Sequence, residues 1–355
     1  GTYYVEATAH SSGYTGSYTL KWNKGIGMRF SGSNRVDTAV EMSKLMFSDA
    51  NFPADEDGHE YVVVAAADNY PDALAGGALA GLAQYDDYNC PVLLTDPDNL
   101  SDATREEIRR LFAYDWYYNE EETTVFILGG ANAVSANVMQ QIQDIHEVER
   151  VERLWGSTRY ETAAAAARMA DSEFSIGTTA YIASGDGWAD ALAAGATAAW
   201  DGSVLLLTGS ASVPATLSSV ITDLGITDLV VVGGEMAISS GAYTSLEGLV
   251  SGDTTRVAGA NRYETARLLA EYAGNTGPQH VLVSGRNYPD GLAAAPLAYQ
   301  VDGPILLTDT AVLAPSVKTF IDDNGPLVST SYLIGGSMAV SDAVYDEWRM
   351  IYQEH

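Results

Sequence analysis

The 355-residue chain has one cysteine, few lysines and no long apolar run. A single cysteine, Cys90, closes no intramolecular disulfide, and no Cys/His cluster has the spacing of a metal site. Cys90 precedes an apolar run and reads as core. Lysine is confined to Lys21, Lys24, Lys44 and Lys318, and 18 basic residues stand against 47 acidic ones, a formal charge of −29. A field of that sign repels polyphosphate backbones, which argues against nucleic-acid binding and against adhesion to an anionic membrane. No stretch approaches the roughly 18–20 apolar residues of a membrane span, and no signal-peptide pattern opens the sequence. It opens on strand-like residues, as an excised or processed piece of a longer chain would. The histidines, His10, His59, His146, His280 and His355, fall in no motif. No Ser-His-Asp, HExxH or P-loop pattern is present either.

What is present is a repeat. Arg29-Phe-Ser-Gly32-Ser-Asn-Arg35-Val36-Asp37-Thr38-Ala39 returns as Arg153-Leu-Trp-Gly156-Ser-Thr-Arg159-Tyr160-Glu161-Thr162-Ala163. It returns again as Arg256-Val-Ala-Gly259-Ala-Asn-Arg262-Tyr263-Glu264-Thr265-Ala266. Three further landmarks follow each copy in one order: an Asp-Ala/Gly-Leu-Ala turn at Asp72, Asp190 and Asp290, a Leu-Leu-Thr strand end, and a Gly-Gly turn at Gly129, Gly233 and Gly335. A period of about a hundred residues is a triplicated supersecondary unit. The units are taken as 25–148, 149–250 and 251–355. Residues 1–24 alternate instead, from Tyr3 to Ala7 and from Tyr18 to Trp22 around glycine turns, which predicts a β-hairpin. The longer first copy carries acidic or polar stretches, Asp55–Asp57 and Tyr117–Glu122, that read as solvated loops.

The strands are continuous apolar runs such as Tyr61-Val-Val-Val64, Val204-Leu-Leu-Leu207 and Leu229-Val-Val-Val232. Runs without alternation are buried on both faces, as in parallel sheets covered by helices. Each unit is therefore expected to be a small α/β domain with ligands beyond the carboxyl ends of its strands.

Asn34, Thr158 and Asn261 stand three residues before Asp37, Glu161 and Glu264, the spacing of a helix capping box, so those acids read as structural. Arg35, Arg159 and Arg262 then fall near N1, where the helix dipole disfavours a cation. Either a salt bridge holds them, or they form an anion or sugar site with free helix amides. Arg29, Arg153 and Arg256 lie six residues earlier and double the commitment of scarce cations to this spot. The turns at Asp72, Asp190 and Asp290 put the aspartate near a helix start, with an aromatic two residues before it at Tyr70, Trp188 and Tyr288. A ring beside a carboxylate suits a carbohydrate site, and packing between repeats accounts for it equally well. Ser135, Ser239 and Ser341 read as N-caps, and the glycine pairs before them permit a turn at positive φ.

These motifs, in this order, resemble the bacterial cell wall binding repeat type 2 family over residues 25–355, and residues 1–24 resemble the end of a bacterial pre-peptidase C-terminal β-sandwich. The first resemblance implies three tandem Rossmann-like or toprim-like modules with mainly parallel sheets in a pseudo-threefold arrangement. It implies non-covalent anchoring of an extracellular, wall-associated protein to an anionic cell wall polysaccharide, in grooves where modules meet. No cofactor, metal, nucleic acid or membrane insertion is expected, and an effector domain would lie elsewhere in the full chain. Val36-Asp37, the Gly-Trp-Ala turn at 187–189 and Gly291 depart from the family pattern and put the equivalence of the three sites in question. So acidic a chain must hold an anionic polymer through local arginines or through a bridging divalent cation. A glycan-processing enzyme and a purely architectural surface-layer element are the competing readings.

Overall fold

The structure is a computed structural model that describes residues 26–47, 61–86, 88, 90–118, 123–277, 279–324 and 330–354. The expected hairpin at 1–24, its β-sandwich resemblance and the acidic loop at 55–57 lie outside these residues. Tyr117 and Tyr118 end a helix rather than open a loop.

Three four-stranded parallel sheets make up the chain. The first repeat supplies β1 (Ile26–Phe30), α1 (Arg35–Met46), β2 (Tyr61–Ala66), α2 (Tyr70–Tyr85), β3 (Val92–Thr95), α3 (Asp102–Tyr118), β4 (Thr124–Leu128) and α4 (Ala136–Gln143). The second supplies β5 (Arg150–Leu154), α5 (Arg159–Glu173), β6 (Thr179–Ser184), α6 (Ala189–Trp200), β7 (Val204–Thr208), α7 (Ala215–Asp223), β8 (Asp228–Val232) and α8 (Ser240–Glu247). The third supplies β9 (Thr254–Val257), α9 (Arg262–Ala273), β10 (Val281–Ser284), a 3-10 turn at Pro289–Gly291, α10 (Ala294–Gln300), β11 (Ile305–Thr308), α11 (Pro315–Asn324), β12 (Thr330–Ile334) and α12 (Asp342–Glu354).

The sheets run β3-β2-β4-β5, β7-β6-β8-β9 and β11-β10-β12-β1, so repeat and sheet are out of phase by one strand. The strand that opens each arginine motif completes the sheet of the preceding repeat. For the third sheet that strand is β1, which pairs Ile26 with Thr330 and Phe30 with Ile334 and closes the series into a ring. The central strands β2, β4 and β6 are buried along nearly their whole length, as their apolar sequences require, whereas β5 is polar and only half-buried at an edge.

Helices α2, α6 and α10 pack on one another along the pseudo-threefold axis. Their facing positions are small: Ala78, Ala199 and Ala295 are buried there, and a side chain at Gly77 would begin 3.3 Å from Ala295 Cβ. The arginine-motif helices follow the same cyclic rule, α5 packing on α2, α9 on α6 and α1 on α10. One continuous core runs through most of this arrangement. A second cluster holds β12, α11 and α12 around the fully buried Trp348.

Candidate functional site

The helix caps position everything else. Thr158 and Glu161 form both arms of the capping box, while Asn34 Oδ1 accepts from the amides of Val36 and Asp37, and Asn261 Oδ1 from those of Tyr263 and Glu264. Arg35, Arg159 and Arg262 are thereby the first residues of their helices. Ser135, Ser239 and Ser341 accept from the amides of Val138, Ala242 and Val344.

The two arginines of each motif face different things. Arg153 donates to the Gly129 and Ser135 carbonyls, and Arg256 to those of Gly233 (2.7 Å) and Ile238 (2.9 Å), with Arg256 also over the Tyr243 ring at 4.7 Å. Arg29 donates to the Val340 and Ser341 carbonyls and pairs with Asp342 at 2.6 Å. Each first arginine thus ties the new edge strand to the Gly-Gly turn and closing helix of the sheet it completes.

The second arginines look across the boundary between repeats. Each gives one N–H to the carbonyl just past its own second strand: Arg35 to Ala67, Arg159 to Gly185 and Arg262 to Gly285. Arg159 also lies 5.8 Å from the Tyr70 ring centroid and Arg262 5.3 Å from that of Trp188. Their charge acts on the aspartate of the preceding repeat, Arg159 on Asp72, Arg262 on Asp190 and Arg35 on Asp290. Among the described residues none of the three closes a direct ion pair.

Burial pushes all three carboxyls above the usual range, offset in part by the neighbouring arginine and, for Asp72 and Asp290, by the hydroxyls of Thr162 and Thr38. The positive-φ glycines Gly129 (98°), Gly233 (105°) and Gly335 (114°) make this possible. A Cβ at those positions would stand 2.5, 2.6 and 2.8 Å from the aspartate Oδ2, so the turn both needs glycine's φ and leaves the carboxylate its space.

Between repeats these residues line clefts. The cleft between the first and second repeats holds about 580 Å³, with Asp72 and Asn132 on one wall and Arg153, Trp155 and Arg159 on the other. Its counterpart between the second and third holds about 630 Å³, with Asp190, Glu235 and Met236 facing Ala260, Asn261 and Arg262, and Trp188 at one end. The aromatics of the aspartate turns gather near the axis: Tyr288 sits 5.2 Å from Tyr70 and 6.1 Å from Trp188, and its hydroxyl donates to the Asp68 carbonyl. These rings pack between repeats while remaining half-exposed. Among the described residues no His, Cys, Asp and Glu group is arranged to hold a metal ion, and no helix is long and apolar enough to cross a membrane.

Sequence reading missed three side chains here. Trp155 is 56% exposed and Met236 97%, each lining its inter-repeat cleft, and Met338, at the position equivalent to Met236, is 94% exposed. The available signal was misalignment: Trp155 takes the place held by Ser31 and Ala258, and the methionines take that of Asn132.

Three α/β modules closed in a ring, with polar clefts where the first repeat meets the second and the second meets the third, define a tandem-repeat binding scaffold. The chain belongs to the cell wall binding domain 2 family, whose model matches residues 29–139, 153–243 and 256–345. That family anchors proteins to the cell wall, which makes this an extracellular, wall-associated chain.

Among its relatives is the N-acetylmuramoyl-L-alanine amidase LytC of Bacillus subtilis, 33% identical over 322 residues, a match covering 90% of this chain and 57% of that protein. The amidase enhancer of the same organism is 25% identical over 334 residues, covering 93% of this chain and 41% of its own. The fold matches Cwp6 from Clostridium difficile with a TM-score of 0.78 at 25% identity, covering 97% of this chain and 50% of that one. Cwp8 from the same organism gives 0.75 at 25% identity, covering 93% and 52%. The chain thus spans about half the length of the relatives it matches.

Proposed function

We propose that the chain holds a surface protein to the wall by binding an anionic wall polysaccharide in the clefts between repeats, and that any effector activity belongs to another part of a longer protein. The observation that carries this reading is the cyclic placement of Arg35, Arg159 and Arg262. Each is a helix-start guanidinium at the boundary with the preceding repeat's half-buried aspartate, and Arg159 and Arg262 line clefts of about 580 and 630 Å³. A guanidinium with several uncommitted N–H groups beside helix amides suits a phosphate or carboxylate on a glycan. At physiological salt the screening length is about 8 Å, so these local cations prevail over the distant negative field.

Arg29, Arg153 and Arg256 spend their donors on backbone carbonyls and serve to position the cleft walls. Asp72, Asp190 and Asp290 accept sugar hydroxyls, and Tyr70, Trp188 and Tyr288 hold the repeats in register while offering ring edges to the ligand. Glycoside hydrolysis needs two carboxylates flanking one bond, and the first cleft offers a single one, Asp72, which weighs against hydrolysis there; the second holds Asp186, Asp190 and Glu235, so release of wall fragments is the test that separates the readings.

The test is co-sedimentation with purified cell walls. Combined Arg35→Gln, Arg159→Gln and Arg262→Gln substitutions are expected to abolish retention and to leave the folded state intact by circular dichroism. Retention like the parent's would refute the arginine site. Release of soluble wall fragments by the parent would replace anchoring with catalysis.

A further inference from the structure

The two clefts differ in charge and in the apolar side chain at their lip. In the first, the lining cations are Arg153 and Arg159 and the lining acid is Asp72, while Asp186 acts on Arg159 from its own repeat. In the second, Arg262 stands against Asp186, Asp190 and Glu235, one cation to three anions. The extra acids are held in place, Asp186 by the Ser210 amide and the Tyr160 hydroxyl, and Glu235 by the Ser240 hydroxyl at 2.7 Å. In the first repeat the position of Glu235 is Ala131.

The lips differ in kind. Trp155 follows β5 with its indole in ordinary contact range of Gly130, 3.5 Å from where a side chain there would begin, and leaves 56% of itself in solvent. Gly234 and Gly336, the equivalents of Gly130, face open space. In place of an indole, those boundaries carry Met236 and Met338, almost wholly exposed. A rigid aromatic plane matches the apolar face of a pyranose ring and loses little conformational freedom on binding, whereas a free thioether chain must be ordered from many rotamers.

Building on the anchoring reading, we propose that the cleft between the first and second repeats is the dominant polysaccharide site. In it Trp155 is the stacking platform for a sugar ring, Arg159 faces the anionic substituent, and Arg153, tied to backbone carbonyls, adds its positive charge from the wall. The second cleft contributes less because Asp186 and Glu235 repel the same substituent. Binding through the first cleft is local, so it depends on Trp155 far more than on Met236 or Met338.

The experiment titrates the full chain, by calorimetry and by intrinsic tryptophan fluorescence, with polysaccharide released by mild acid from purified Gram-positive walls. Trp155 is exposed, so its variants are expected to fold, and thermal melts check this. Truncating an indole that anchors an interface is expected to weaken binding by at least about tenfold for Trp155→Ala, with most affinity kept in Trp155→Phe. Met236→Ala is expected to cost at least about threefold less than Trp155→Ala. Asn132→Glu, which brings an acid to the lip of the first cleft, is expected to weaken binding most at low salt, where repulsion is least screened. Parent-like binding by Trp155→Ala, or an equal loss from Met236→Ala, overturns this assignment and leaves anchoring standing. Failure of the parent itself to bind the polymer overturns the anchoring reading.

Discussion

The Tyr160 ring fills the space that a side chain at Gly185 would need: a Cβ there would stand 2.8 Å from Tyr160 Cε1. Tyr263 and Gly285 repeat the relationship more tightly still. In the first repeat both partners change together, to Val36 and Ala67. The smaller side chain makes room for the added methyl, and a hollow of about 510 Å³ opens beside Val36 at the carboxyl end of the first sheet. Gly185→Ala is therefore expected to cost about 1–3 kcal/mol by overpacking. Tyr160→Val should recover much of that loss in the double variant, so a double-mutant cycle by denaturant unfolding should show coupling above about 0.5 kcal/mol. Additive losses would mean that the two positions do not compete for space.

The two arginines of a motif should separate in their effects. Arg256 donates to two carbonyls and lies over the Tyr243 ring, all in the second repeat, so its contacts hold β9 in the sheet that it completes. Arg256→Ala is expected to lower stability by about 1.5–3 kcal/mol, the range for hydrogen bonds from a charged donor. Arg262 is exposed and makes one carbonyl hydrogen bond, so Arg262→Gln is expected to cost under about 1 kcal/mol while weakening wall binding. Denaturation midpoints and wall co-sedimentation on the same samples read the two quantities. If Arg262→Gln destabilised as much as Arg256→Ala, the second arginine would be structural too.

Acid should weaken the third module through His280. Complete burial lowers its pKa to about 3 from an ordinary 6.5, and its Nε2 accepts from Trp348 Nε1 at 3.0 Å. The unfolded chain takes a proton near pH 6.5 that the folded one refuses until about pH 3. Stability from this group is complete above 6.5 and falls as pH drops through that window, by about 1.4 kcal/mol per unit. Asp72, Asp190 and Asp290 act in the opposite sense. Their raised carboxyls bind protons more readily folded than unfolded, so their contribution declines as pH rises past 3.8. Thermal melts of the parent and of His280→Gln between pH 7 and 4 isolate the histidine, and the variant's curve is expected to be flatter. Parallel curves would show that acid acts elsewhere.

How much of this was legible depended on the range of the interaction concerned. The buried strands were readable because Val62, Val63 and Val64 need no partner to declare that both faces are covered. The caps at Thr158 and Ser239 were readable because their bonds close within three residues. Edge strands β1, β5 and β9 were missed: Arg150-Val-Glu-Arg-Leu is polar on a half-exposed edge, so no unbroken apolar run marks it. The placement of Arg35 beside Asp290 was out of reach because only ring closure brings the first and third repeats together. The motif named Arg159 and Asp72 without saying that they face each other across repeats. Trp155 was overlooked because attention to what recurs discards what differs.

Ring closure itself can be tested at β1. Its five residues supply the edge of the third sheet, the contact of Gly27 with Trp348, the Gly27 carbonyl that Tyr345 donates to, and all of Arg29's bonds to the start of α12. A chain beginning at Ser31 would leave β12 with an unpaired edge, and free edges recruit strands from other molecules. Amide exchange across Thr330–Ile334 and the last helix is expected to accelerate in such a chain, while core amides of the second sheet, such as those of Leu229 and Val231, keep their protection. The truncated chain is also expected to self-associate in light scattering, and a peptide carrying the Ile26–Phe30 sequence should compete with that association. Unchanged protection of β12 in a monomeric truncated chain would show that the third sheet stands without its borrowed strand, and that the Arg35–Asp290 boundary does not depend on closure through β1.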